Sequence, residues 1–265
     1  PISGAGLTLA IRASATGASG NVDDGSKIVL TSDSNSYRDT RIVVGTLQID
    51  GGDDRLPVAG ALFMGNGSNL GTATFDLNGR NQTIAGLVSD GTTMPKTVTN
   101  TSATASTLTV NNSSAYAYRG EIAGNLALTK TDTGTLTLAG SNANTYTGLT
   151  TVSAGTLVLG KTPGVNAIAG NIAVNGGLLT LGAANQIADT SDITVSGSAQ
   201  FNMGGAHYAE TVRNVTLDST VTDPNTNRLS NLTVTGTLTI NNGVWGINSG
   251  YTLTANANPD NLDTL

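Results

Sequence analysis

The chain has 265 residues, of which 34 are glycine, and only 4% are aromatic and 11% charged. A net charge of −6 and an isoelectric point near 4.5 argue against a nucleic-acid groove, which needs a basic stripe. The sequence contains no Cys, which excludes disulfides and thiolate metal sites, and no apolar run is long enough for a transmembrane helix.

Short runs in which apolar and polar residues alternate recur along the chain, and this is the period of half-buried β-strands. Turn-like segments separate them, beginning with Asn21–Gly25, and no stretch has the 3.6-residue period of a helix. The predicted strands cover residues 6–11, 27–30, 42–49, 58–64, 74–79, 83–87, 107–112, 135–138, 155–159, 168–174, 178–181, 200–204, 211–215, 237–242 and 251–254.

These strands have one apolar face each and are too short to be stable alone. Because no helices are available for crossovers, we predict an all-β fold, a right-handed parallel β-helix (β-solenoid) with roughly twenty to twenty-five residues per coil and about eleven or twelve coils. The competing fold, an antiparallel β-sandwich, predicts two-residue hairpins and larger core aromatics. The chain has one Trp and three Phe, and its turns are mostly longer.

Residues 1–265 are predicted to form a single domain without a linker, built of two diverged super-repeats at about 1–120 and 121–265. The segment 107–112 closely matches 237–242, and Phe75 and Phe201 are predicted to occupy equivalent positions. The offset between the copies grows along the chain, which indicates that the second copy gained loop residues.

Residues 128–159 carry the most specific pattern: Leu-Thr-Lys, a Gly-Thr-Leu-Thr-Leu core at 134–138, Asn144, Tyr-Thr-Gly at 146–148, and Ala-Gly-Thr-Leu at 154–157. This stretch resembles the autotransporter-associated β-strand repeat of the passenger regions of bacterial surface proteins. One departure is Asp132, where the family usually has glycine, and another is a slightly longer turn before Tyr146. The resemblance implies a passenger stalk whose coils fold progressively during secretion.

We predict no catalytic, cofactor-binding or metal-binding residues and no cofactor. His207, beside Tyr208 and Glu210, is the only histidine, and it lacks a recognisable Ser or Asp framework. A loop residue is therefore the favoured interpretation over a catalytic base.

Acidic clusters in Gly-rich loops offer the main alternative. Asp23 and Asp24 form one, and Asp50, Asp53 and Asp54 form another beside Arg55. The second cluster could act as the carboxylate-and-base set of a β-helix polysaccharide enzyme or could ligate Ca²⁺. A solvated turn is favoured, because the corresponding loop of the second super-repeat, residues 160–164, has no acids.

Two further groups of residues have structural and functional interpretations. Tyr116, Tyr118 and Tyr146 are expected to pack against turns, with exposed sugar-binding rings as the alternative. Four asparagines at strand ends could form stacked ladders that satisfy turn backbone groups, or could supply left-handed turn geometry. They are Asn111, Asn112, Asn241 and Asn242.

The function predicted from these observations is a non-enzymatic structural protein, a rigid stalk that is extracellular or on a bacterial cell surface. The chain begins at Pro1 rather than Met, from which we expect a processed chain or a segment of a larger one. One alternative is a filament subunit, a homo-oligomer that stacks head to tail through open β-helix ends. Another is a carbohydrate-active enzyme or a glycan-binding adhesin with surface glycan or cell-surface contacts. Nucleic-acid binding and membrane spanning are not expected.

Overall fold

The computed structural model describes residues 1–12, 27–65, 67, 71–91, 94–221 and 227–255. In this part of the chain the fold is an all-β solenoid of about ten turns, made of parallel strands and without a helix. The strands are β1 Ser3–Arg12, β2 Lys27–Leu30, β3 Ser36–Ile49, β4 Ala61–Met64, β5 Ala73–Asp76, β6 Gln82–Ile84, β7 Gly86–Ser89, β8 Lys96–Asn100, β9 Ser106–Asn111, β10 Tyr116–Tyr118, β11 Glu121–Gly124, β12 Leu126–Thr131, β13 Thr135–Gly140, β14 Thr150–Val152, β15 Thr156–Lys161, β16 Ile172–Val174, β17 Leu178–Leu181, β18 Asp192–Gly197, β19 Gln200–Asn202, β20 Glu210–Val212, β21 Asn214–Ser219, β22 Leu232–Val234, β23 Leu238–Asn242 and β24 Thr254–Ala255.

Each coil contributes to up to three faces, which follow one another in the same order along the chain. Face 1 contains β1, the first part of β3, β4 and β7, followed by β10, β13, β15, β17 and β19. Face 2 contains β2, the second part of β3, β5, β8 and β11, and farther along the chain β20, β22 and β24. Face 3 is a continuous sheet of β6, β9, β12, β14, β16, β18, β21 and β23. Every ladder is parallel, as the predicted β-helix requires.

Residues of the same kind stack on one another in register from coil to coil. On face 1, Leu136 pairs with Leu157, which pairs with Leu179, and that residue pairs with Phe201. All four side chains are fully buried. The intervening threonines point outward, because successive side chains of a strand alternate between its two faces. One column of aliphatic side chains therefore runs through the stacked coils.

Strand β3 crosses the corner between face 1 and face 2 without a break. Gly45 lies at this corner with φ +94°, a left-handed backbone that glycine adopts without steric cost. The residues before it pair with β1 and β4, and those after it pair with β2 and β5. A single glycine thus lets one strand serve two sheets.

The prediction of eleven or twelve coils was too high, because some turns use more residues than the assumed repeat. Ser3 pairs with Ser36, and Asn202 forms a bridge with Arg228. The predicted strand at 251–254 is also displaced, since β24 contains only Thr254 and Ala255. The predicted turn at residues 21–25 lies outside the described residues.

The two segments that suggested the super-repeats lie on the same face, because 107–112 falls in β9 and 237–242 in β23. Phe75 and Phe201, however, are not equivalent. Phe75 pairs with Leu47 and Val98 on face 2, whereas Phe201 pairs with Leu179 on face 1. The division into two super-repeats stays a prediction. In the described part of the chain, no helix has the length and apolar character to cross a membrane.

Candidate functional site

Residues 128–159 lie in the middle of the stack and span more than one turn. They include the end of β12, all of β13 and β14, and the start of β15. The alternating leucines of this segment point into the core and are fully buried. The polar residues of the pattern could have formed a surface site, but several of them also point inward, where they bind backbone groups of adjacent coils.

Lys130 is fully buried at an inward position of β12, in register with Val110 of β9 and Val152 of β14. Its Nζ donates hydrogen bonds to the backbone oxygen of Asp132 at 2.8 Å and to that of the intervening residue. It also reaches Ala154 O of the next coil at 3.5 Å. Burial lowers the pKa of Lys130, and the charge of Asp132 opposes this shift. The ammonium group therefore satisfies turn carbonyls and leaves little capacity for a ligand.

Asn144 connects three successive coils. Its Oδ1 accepts a hydrogen bond from Ile122 N at 2.9 Å in the preceding coil, and its Nδ2 donates to Ala167 O at 2.7 Å in the following coil. Tyr146 is fully buried beside it, and its hydroxyl is hydrogen-bonded to Thr150 Oγ1 at 2.6 Å. Asn144 therefore holds coils together, whereas the hydroxyl bond of Tyr146 lies within one coil and fixes its buried ring.

The glycines of the pattern lie where the backbones of neighbouring coils approach closely. A Cβ at Gly148 would lie 2.4 Å from Leu126 O, and one at Gly155, whose φ is +66°, would lie 2.3 Å from Asp132 O. Asp132, where the family usually has glycine, has φ 59°. Its Oδ1 accepts a hydrogen bond from Thr133 N at 2.7 Å, a local bond that helps Asp to adopt left-handed geometry. The departure at this position therefore preserves the turn.

The acidic loop after β3 uses its carboxylates to bind the next coil. Asp53 accepts hydrogen bonds from Asn81 N at 2.8 Å and from Asn81 Nδ2 at 3.0 Å. Asp54, with φ 53°, accepts one from Thr83 N at 2.7 Å. The backbone hydrogen bond from Asn81 lowers the pKa of Asp53. The predicted pair at residues 23 and 24 lies outside the described residues.

The remaining members of this loop also have partners, Asp50 in the next coil and Arg55 within the loop itself. Asp50 forms an exposed ion pair with Arg80 at 3.1 Å. Arg55 donates to the backbone oxygens of Asp50 and Gly51. Asp53 and Asp54 are exposed, as expected for a solvated turn, but their bonds to the next coil were not predicted. Among the described residues, no three or more His, Cys, Asp and Glu side chains are grouped to hold a metal ion.

His207 occupies a turn between β19 and β20, with φ 54°. Its backbone oxygen accepts a hydrogen bond from Asn231 Nδ2 at 2.7 Å, and its ring lies 4.3 Å from that of Tyr251. Glu210 is buried and accepts hydrogen bonds from the backbone N of Gln186 at 2.6 Å and of Ile187 at 3.2 Å. These contacts match the predicted loop role for His207 and give Glu210 a structural one.

Two of the three tyrosines considered as sugar-binding rings are inside the solenoid. Tyr118 is fully buried, and its hydroxyl donates to Lys96 O and Glu121 O, both at 3.1 Å. Tyr146 is buried as described above. Tyr116 is half-buried, and its ring covers the space where a Cβ of Gly86 would lie. The preferred packing interpretation is therefore confirmed for Tyr118 and Tyr146.

The four strand-end asparagines form neither predicted arrangement. Asn112 is fully buried and its Nδ2 donates to Ser114 O at 2.5 Å and Thr135 O at 3.0 Å. Asn242 donates to Asp218 Oδ1 at 2.7 Å. None of the four has a positive φ. The ladder prediction was wrong in its stacking of asparagine on asparagine, although Asn112 satisfies turn backbone groups as that prediction expected. The left-handed alternative was wrong in geometry.

Sequence reasoning missed the buried lysines. Lys161 is in register with Gly140, is 1% exposed, and donates through Nζ to Gly120 O at 3.0 Å and Ala139 O at 3.1 Å. Burial lowers the pKa of Lys161 to about 8, and the charge of Glu121 opposes the shift. Strand parity could have found this residue, because positions 157, 159 and 161 must all point inward.

Comparison with known proteins identifies one repeat family. Searches of curated proteins and of solved structures found no match. One family model, described as passenger-associated-transport-repeat, matches residues 128–159, the segment in which Lys130 and Asn144 bind adjacent coils. Residues 128–159 therefore carry a passenger-associated-transport-repeat, consistent with the repeat of an autotransporter passenger.

Proposed function

We propose that this chain is a non-enzymatic structural rod, part of an extracellular or surface-displayed passenger of a bacterial autotransporter. The observation that carries the proposal is that the matched repeat lies within the stack, where Lys130 and Asn144 bind adjacent coils and Gly155 lets their backbones approach closely. A repeat that serves stacking is suited to making length and stiffness. The buried contacts leave these residues little capacity for chemistry on a substrate.

We also propose that the solenoid winds to the right. A strand, crossover and parallel strand in one sheet are almost always connected with right-handed geometry, because this packs a twisted strand back onto its sheet. An experimental structure at a resolution that defines the hand would decide this point. A left-handed winding would contradict the proposal without affecting the structural role.

The test of the structural role combines localisation with activity. The native polypeptide is tagged within the exposed turn at residues 163–164 and labelled with antibody on intact and permeabilised cells. We expect label on intact cells or in the medium, and no new reducing ends when the purified chain is incubated with a panel of polysaccharides. Label confined to permeabilised cells would contradict surface display, and cleavage lost in the variant Asp53→Asn would establish the enzymatic alternative.

A second candidate function, a filament subunit, is favoured by the N-terminal edge. Among the described residues, β1 and β2 pair only with β3, and large apolar side chains lie exposed there. Leu7 is 63% exposed, Ile28 43% and Val29 42%. Electron microscopy across a concentration series should show filaments of the intact chain. The variant Leu7→Lys should form none. Isolated rods at every concentration would reject this candidate.

A further inference from the structure

A groove of about 640 Å³ follows the corner between face 1 and face 2. It crosses successive coils from Lys96 at the start of β8, past Gly120, Gly140 and Gly160, to Tyr208. This volume is within the range of sites that bind small molecules or short segments of polymers. None of the residues in the acidic loop or the strand-end asparagines lines it.

The fold requires some of the glycines in this groove but not all of them. A Cβ at Gly120 or Gly140 would lie 2.3 or 2.2 Å from a backbone oxygen of the preceding coil. At Gly160 the nearest atom to an added Cβ would be Thr137 Cγ2 at 3.4 Å, an ordinary van der Waals contact, and the φ of Gly160 is not positive. Packing therefore does not explain the missing side chain at Gly160. A glycine within a strand can instead mark a place where a ligand approaches the backbone.

The charge along the groove is opposite to that of the whole chain. Lys96, Arg119 and Lys161 line it, and no Asp or Glu among the described residues does, although acids outnumber bases 18 to 12 in the sequence. Arg119 is exposed, and the two lysines are buried in the groove wall. A cleft lined by charges of one sign concentrates ligands of the opposite charge.

The carboxylates whose charge acts on the two lysines, Asp90 on Lys96 and Glu121 on Lys161, have other partners. Asp90 forms an ion pair with Arg41, and Glu121 accepts a hydrogen bond from Thr145 Oγ1 at 2.9 Å. Every ion pair found in the described residues uses arginine, so Lys161 is a buried cation whose hydrogen bonds go to neutral carbonyls. An anion in the groove would offset the cost of burying that charge.

The groove also favours a hydroxyl-rich ligand over a peptide. Ser141, Asn142 and Thr162 are exposed along it, and the half-buried ring of Tyr208 stands at one end. A peptide that added itself as a strand would need a free edge. Strands β13, β15 and β17 offer none beside the groove, since each pairs with a neighbour on both sides.

We propose that this groove binds a segment of an acidic oligosaccharide, bearing carboxylate or sulfate groups, which lies along the axis of the solenoid. Arg119 pairs with an acidic group, the hydroxyl and amide side chains bind sugar hydroxyls, and the open surface over Gly160 receives a ring. This inference goes beyond the structural role and does not depend on where the chain is displayed.

The test is isothermal titration calorimetry of the intact chain with oligogalacturonate, which carries carboxylates, and with sulfated dextran oligosaccharides. Neutral malto-oligosaccharides and polyglutamate serve as comparison ligands. The variant Gly160→Leu should fill the groove and abolish binding, whereas Ala173→Leu, which places the same side chain at an outward position of face 3, should leave binding unchanged. Arg119→Gln should weaken binding about tenfold, as loss of one charge-assisted hydrogen bond predicts. Arg38→Gln, an exposed arginine outside the groove, is its control.

Binding of either acidic saccharide, lost in Gly160→Leu at an unchanged melting temperature, would support the proposal, and the preferred probe identifies carboxylate or sulfate as the acidic group. Equal binding of the neutral saccharide would overturn the charge argument. Binding of polyglutamate alone would overturn the saccharide assignment in favour of an acidic peptide. No binding of any probe, or binding that persists in Gly160→Leu, would overturn the site itself and leave the structural role untouched.

Discussion

The buried amide of Asn144 gives the sharpest test of how the coils are held together. In Asn144→Ala, Ile122 N loses its acceptor and Ala167 O loses its amide donor, and both residues are fully buried. An unsatisfied buried backbone group costs about 1–3 kcal/mol. Two such groups predict a loss of about 2–6 kcal/mol in the free energy of unfolding.

Urea unfolding followed by circular dichroism measures this change. The matched control is Asn142→Ala, two residues away and exposed, for which we expect a change within about 0.5 kcal/mol. The slope of the transition must be compared as well, because a solenoid can lose part of its stack separately. If both alanine variants unfold at the same urea concentration with the same slope, the argument that Asn144 joins three coils is wrong.

Three further outcomes are expected. Burial raises the pKa of Glu210 from 4.5 to about 7 and lowers that of Lys161 from 10.5 to about 8, so the folded state holds the glutamate proton more tightly and the lysine proton more weakly than the unfolded state. The free energy of unfolding should therefore fall by about 3 kcal/mol from pH 4.5 to 7, through Glu210, and rise by a similar amount from pH 8 to 10.5, through Lys161. Denaturation measured across this pH range tests both changes. If the fall between pH 4.5 and 7 is absent in Glu210→Gln, the assignment of that change to Glu210 is confirmed. Gly155→Ala should destabilise by more than about 1 kcal/mol, because its φ is +66° and the added Cβ would overlap a carbonyl oxygen, whereas Gly205→Ala, with no atom within 4 Å of the added Cβ, should unfold as the parent does. Tyr146→Phe removes a buried hydroxyl that is hydrogen-bonded at 2.6 Å to Thr150 Oγ1. This variant should lower the melting temperature by the equivalent of about 1–2 kcal/mol. An unchanged melting temperature would show that this bond contributes nothing.

Alternation in the sequence was sufficient to predict the class of fold. The runs at 135–138 and 155–159 are strands β13 and β15, and their leucines stack in register as a parallel solenoid requires. Strands of weaker alternation were not predicted, among them β11 at Glu121–Gly124 and β18 at Asp192–Gly197. Their pairing with coils twenty or more residues away supplies stability that a local pattern does not reveal.

The roles of the polar residues were harder to predict. Lys161 was assigned to a loop, whereas the alternation of β15 places its side chain inside the solenoid. The alternatives for Asp53 and Asp54 could not be separated from the sequence, because the decision depends on Asn81 and Thr83 in the next coil. The groove could not be predicted either, since Gly160 differs from Gly140 in its backbone φ and in the atoms of the preceding coil that surround it, neither of which the sequence shows.

Buried polar groups also determine which coils can pair with each other. Coils whose inward residues are all leucine or valine could pair with the wrong neighbour and still bury the same apolar surface. Lys130 interrupts a column of valines, and its ammonium finds carbonyl oxygens only in the turn beside it and in the coil above. A stack that skipped or exchanged a coil would leave that charge among methyl groups, at a cost of several kcal/mol. Lys130 thus opposes a wrong order of coils in the stack.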